Sequence, residues 1–164
     1  MSDSTPHPPL DEIQSLLADL AHRVVADPGP TLDLDVRDDI LRVLCDLERY
    51  IPGLDPPSDL QAAKQLTAAA GAALVHGRPR IALARAFRGL SYAPHHAELH
   101  YLASSACFEL AAATEAVRLL AHTLWINPGH DKARREMEML SGCDESPWWD
   151  GEEGPDEAEG QRAA

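Results

Sequence analysis

His95, His96 and His100 form the densest group of chemically capable side chains in the sequence. His96 and His100 stand four apart, a spacing that puts two imidazoles on one helix face and suits a metal ion. Glu98 between them does not make an HExxH pattern, and no Cys, Asp or second His pair at matching spacing completes a site. A metal-binding protein or enzyme using His96 and His100 is therefore the opposing reading. The plainer one makes them solvated residues of a linker and a first helical turn. Cys107 and a distant histidine contain the parts of a nucleophile pair, but Cys107 lies in an apolar helical pattern that suits core packing. The chain carries no Gly-rich phosphate loop, no GxSxG elbow and no Ser/His/Asp order. No catalytic residue and no cofactor is expected.

The charge distribution narrows the classes of partner. Of the net −13, residues 1–60 carry −9, residues 61–141 carry +3 and residues 142–164 carry −7. Phosphate affinity is built from Lys and Arg, so this balance speaks against a nucleic-acid partner. The mildly basic middle suits acidic peptides, including the chain's own ends. No apolar run approaches the ~20 residues of a membrane span, so no membrane insertion is expected. The N-terminal residues lack the basic and apolar regions of a secretory leader. Three cysteines, Cys45, Cys107 and Cys143, are widely spaced with no CxxC pair, which suits a reducing compartment. Cys45 and Cys107 read as small core residues. A cytoplasmic location follows as the expectation.

Ala and Leu dominate the apolar fraction while aromatics are only 5%, a composition that favours helices over strands. Residues 1–9 hold three prolines and are expected to be disordered. Helical periodicity predicts an N-terminal helical pair within 10–57. Its first helix runs from Leu10 to Ala26 on a stripe of Leu10, Ile13, Leu16, Leu17, Leu20 and Val24. Its second runs from Asp35 to Tyr50 on Ile40, Leu41, Leu44, Leu47 and Ile51. Residues 58–141 hold five more: Ser58 or Asp59 to His76, Pro79–Tyr92, His96–Leu110, Thr114–Ile126 and Asp131–Leu140. Pro79 suits a first helical turn, and Gly77 and Pro94 suit helix ends. Residues 142–164 form an acidic tail, expected to be disordered, whose bulky groups are Trp148 and Trp149.

The helix pairs repeat. Ala63 and Ala97, Ala82 and Ala116, Leu90 and Leu124, and Pro94 and Pro128 are each 34 residues apart, in the same order, and His96 and His130 close the two units. This pattern resembles the tetratricopeptide (TPR) family over residues 63–130, about two repeats, with the seventh helix as a cap. The large aromatic usual early in the first helix is Leu66 in one unit and His100 in the other. Ala111 stands where the first unit has its turn glycine, Gly77, and Thr123 stands opposite Gly89. The resemblance implies an all-α fold of antiparallel helical hairpins stacked as a short right-handed solenoid. Small residues such as Ala69, Ala70, Ala82, Ala103, Ser104 and Ala116 would let the helices approach closely. Two such units are fewer than a stable stack needs, so the N-terminal pair and the last helix are expected to complete it.

In that family the first helix of each unit lines a groove. The corresponding positions here are Lys64, Thr67, Gly71 and Leu74, then Glu98, Tyr101, Ser105 and Phe108, continued by Lys132 and Arg135. Tyr101 and Phe108 form an aromatic patch with cations at the ends, which suits an extended or helical peptide with apolar and acidic groups. The family's chaperone-tail binders hold a terminal carboxylate with a Lys and Asn pair, where Thr67 and Gly71 stand here. The expected function is a non-enzymatic adaptor or chaperone-like module binding a protein or peptide. The size, acidity and helical layout also resemble the type III secretion translocator chaperones. A homodimer through the N-terminal helices is a further partner arrangement. Trp148 and Trp149 need a docking place in this molecule, a second copy or a partner. Arg78, Arg80, Arg85 and Arg88 offer the acids around them a basic surface.

Overall fold

The structure is a computed structural model, and it describes residues 9–27, 29–50 and 59–142. Residue 28 and the segments 1–8, 51–58 and 143–164 lie outside the described residues, and with them the expected N-terminal and C-terminal disorder and Trp148 and Trp149. Among the described residues the fold is all-α: α1 (Leu10–Ala26), α2 (Leu34–Leu47), α3 (Leu60–Val75), α4 (Pro79–Tyr92), α5 (Ala97–Glu109), α6 (Ala113–Ile126) and α7 (Asp131–Gly142).

Local chemistry starts and stops these helices. The Asp59 carboxylate accepts from the Ala62 amide at 2.9 Å and caps α3. His96 Nδ1 accepts from the Leu99 amide at 3.4 Å, and His130 Nδ1 does the same for Ala133 at 3.2 Å. The hairpin turns also repeat. The Arg78 amide donates to the Ala73 carbonyl and the Ala112 amide to the Cys107 carbonyl, each at 2.9 Å. These bonds satisfy the carbonyls left open at the ends of α3 and α5. The 34-residue offset seen in the sequence is therefore also an offset in turns and caps.

Side-chain size sets how closely the helices pack. A Cβ at Gly89 would lie 2.7 Å and 2.9 Å from the two terminal methyls of Leu99 and 3.3 Å from the Cβ of Leu66. A side chain there would force Leu99 to move, so glycine suits this close approach of α4 to α5 and α3. At the equivalent position Thr123 is buried, and its hydroxyl donates to the Leu119 carbonyl at 2.9 Å. Ala63, Ala70, Ala82, Ala103, Ser104 and Ala116 are all fully buried.

The N-terminal helices pack on the second helix of each hairpin, α1 on α4 and α2 on α6. Leu10, Ile13, Leu17, Leu20 and Val24 of α1 and Val36, Ile40, Val43, Leu44 and Leu47 of α2 enter the same core as the hairpins. Each such side chain contributes about 1.5–3 kcal/mol on burial. Leu16 and Val25 of α1 and Leu34 of α2 remain as exposed large apolar residues of these two helices.

Polar clamps fix this docking. Arg80 reaches across to the end of α1, donating to the carbonyls of Val24 (3.1 Å), Gly29 (2.8 Å) and Thr31 (2.5 Å) and pairing with Asp27 (3.3 Å). Arg80 is therefore internal bracing rather than part of a free basic surface. Arg37 of α2 grips Glu115 of α6 through two bonds of 3.0 and 3.1 Å, with the Glu115 side chain 4% exposed. Cys45 departs from its expected core role and is exposed. The inward face of α2 runs through Val36, Ile40, Val43, Leu44 and Leu47, and the next residue after Leu44 turns about 100° toward solvent.

Candidate functional site

Tyr101, Ser105 and Phe108 recur at spacings of four and three, so one face of α5 presents them together. That face meets α7. A groove of about 400 Å³ opens there, lined by Ser105, Phe108, Glu136, Met139 and Leu140. Met139 is 63% exposed, while Phe108 is half-buried with one side against the core.

Tyr101 anchors the upper end of this face. Its hydroxyl donates to Glu136 Oε1 at 2.6 Å, and its ring lies 4.9 Å from that of His130. Burial, reinforced by the Glu136 hydrogen bond, pushes the phenol up to about 12, so it remains a donor at neutral pH. Lys132 Nζ stands 5.9 Å from the ring centroid. Glu98 reaches His130 Nε2 at 2.8 Å, and Ser105 donates to the Tyr101 carbonyl at 3.2 Å. Lys132 and Arg135 are exposed.

Five of the expected groove residues, Glu98, Tyr101, Ser105, Phe108 and Lys132, thus sit on or beside the α5–α7 face. Lys64, Thr67 and Leu74 belong to α3 and do not line the groove. The Thr67 hydroxyl is turned onto the Ala63 carbonyl at 2.7 Å, and Leu74 packs against the core. Sequence reasoning missed Glu136, Met139 and Leu140. Their i, i+3, i+4 spacing on the cap was the available signal.

The histidines form a separate cluster, arranged otherwise than expected. His96 caps α5, whereas His100 is not solvated at all: it is fully buried. It takes the position equivalent to Leu66, 34 residues earlier. His100 Nε2 donates to the Pro94 carbonyl at 2.7 Å, and burial together with neighbouring His122 holds the imidazole well below its usual range. The rings of His100 and His122 are 5.0 Å apart, those of His122 and Trp125 5.2 Å, and those of His95 and Trp125 5.5 Å. His122 is 2% exposed, and burial lowers it to about 4. A second opening of about 450 Å³, lined by Glu48, Arg118, Ala121, His122 and Trp125, reaches this cluster from outside. Among the described residues no group of three or more His, Cys, Asp or Glu is arranged to hold a metal ion. His96 Nδ1 is engaged by the Leu99 amide and His100 Nε2 by the Pro94 carbonyl.

Cys107 is buried, and burial with nearby Glu115 pushes its thiol up to about 12. It stays protonated and packs as a small apolar group. None of the described helices is long and apolar enough to cross a membrane. No family model matches the chain, and no curated protein matches it.

Proposed function

We propose that the protein is a non-enzymatic, TPR-like binding module of the cytoplasm, adaptor or chaperone-like, that holds a peptide or helix of a protein partner on its α5–α7 face. One observation carries this reading. The N-terminal helices cover α4 and α6, while the groove at Phe108, Met139 and Leu140 stays open between α5 and α7. An apolar floor beside Tyr101 and Lys132 matches a segment that alternates apolar and acidic groups.

Selection of peptides from a random library on the full chain tests this. Selected peptides are expected to be apolar and acidic and to cross-link to α5 and α7. Met139→Glu and Phe108→Ala are expected to weaken them about tenfold, or 1.4 kcal/mol, with the helical circular dichroism unchanged. Binding that ignores both substitutions, or cross-links elsewhere, overturns the reading.

A further inference from the structure

The α5–α7 groove has a nearby occupant in the chain itself. Met139 and Leu140 line the groove, and the last described residue, Gly142, lies two residues beyond Leu140. Trp148 follows six residues later. An extended segment of that length reaches ~20 Å, ample to return an indole to Phe108. The groove wall is almost wholly apolar at Phe108, Met139 and Leu140, as an indole requires.

Charge agrees with this placement. Residues 142–164 carry −7, with acids on both sides of Trp148 and Trp149, while residues 61–141 carry +3. Lys132 and Arg135, both exposed on α7, offer this acidic segment nearby positive charge, and Glu136, the carboxylate in the groove wall, is engaged by the Tyr101 hydroxyl. The larger cavity between α1 and α4, about 530 Å³ and flanked by Arg85 and Arg88, also has cations. It lies on other helices and lacks the direct tether.

We infer that residues 143–164 dock in cis on the α5–α7 groove through Trp148 and Trp149, so that the chain's own C-terminal segment competes with its partner. This rests on the α5–α7 face being the binding groove. The high effective concentration of a short tether makes the intramolecular contact strong even where the isolated peptide binds weakly. A partner must then displace the segment, which sets an affinity threshold.

Acrylamide quenching of the full-length chain carrying Trp125→Phe tests the inference, because only Trp148 and Trp149 then emit. The quenching constant is expected to be about threefold lower than for a synthetic peptide of residues 143–164, which a docked population of two-thirds suffices to produce. Met139→Glu, at an exposed position, is expected to restore the peptide value, and so is Phe108→Ala. Full-chain quenching equal to that of the peptide overturns the inference. So does protection that survives both substitutions, which places the tryptophans elsewhere, or protection lost on dilution, which makes a second copy the occupant. Exposed tryptophans combined with library peptides that still depend on Phe108 would sink the cis docking alone. Peptides indifferent to Phe108 and Met139 would sink the groove reading beneath it.

Discussion

Gly77 and Ala111, 34 residues apart in equivalent hairpin turns, both adopt left-handed backbone, with φ of 67° and 59°. Glycine takes that conformation freely, whereas a Cβ makes it costly by about 1 kcal/mol or more. Ala111 is therefore a site of stored strain, retained because the Ala112 amide must reach the Cys107 carbonyl. Ala111→Gly is expected to stabilise the protein by about 0.5–1 kcal/mol, net of the entropy glycine adds to the unfolded chain. Gly77→Ala is expected to cost about 1 kcal/mol. No atom lies within 4 Å of an added Cβ there, so the effect is purely conformational. Urea titration of both variants checks the opposite signs.

The Arg37–Glu115 pair couples α2 to α6 across 78 residues of sequence. Arg37→Met is expected to cost about 3 kcal/mol or more, because it leaves a buried carboxylate unpaired. Removing both charges together with Glu115→Leu is expected to recover much of that loss. A double-mutant cycle measures the coupling. If the two single effects simply add, the pair does not hold α2 in place.

Acid is expected to loosen the same interface through His122. Its pKa in the folded protein, about 4, lies below the ordinary 6.5, so the unfolded chain binds the proton more readily. The stability it contributes is complete above pH 6.5 and is lost as pH falls toward 4. At the limit the loss is roughly 3 kcal/mol from this group. The charged neighbours are Arg118, which opposes protonation, and Glu48, whose carboxylate is 3.6 Å from His122 Nε2. Unfolding free energies at pH 7.5 and pH 5 are expected to differ less in His122→Phe than in the parent. Parallel profiles would refute this.

Tyr101→Phe removes the hydroxyl that donates to Glu136 and keeps the ring against His130. A hydrogen bond to a charged group contributes about 1.5–3 kcal/mol, and the part-exposed geometry here places the loss at the lower end. Amide hydrogen exchange is expected to quicken in α7, with α1 and α4 unaffected. Uniform acceleration throughout the chain would show instead that Tyr101 supports the whole core.

The sequence by itself determined the elements. Apolar stripes, Pro79, Gly77 and Pro94 located the helices closely, because starts, stops and amphipathic faces are local properties. The 34-residue period located the turns, down to the equivalence of Gly77 with Ala111 and of His96 with His130. The family resemblance, rather than the period itself, implied Tyr101 and Phe108 as groove residues. The tertiary structure decided where those elements lie on one another. Docking α1 on α4 and α2 on α6 depends on contacts such as Arg37–Glu115 and Arg80–Gly29, made between residues far apart in the chain. It also turned Cys45 outward, buried His100 and His122 against each other, and brought Glu136 and Met139 to the face of α5. Periodicity gives each helix an inside and an outside, but the free energy of burial depends on which neighbour supplies the other half of the contact, and that information is not local.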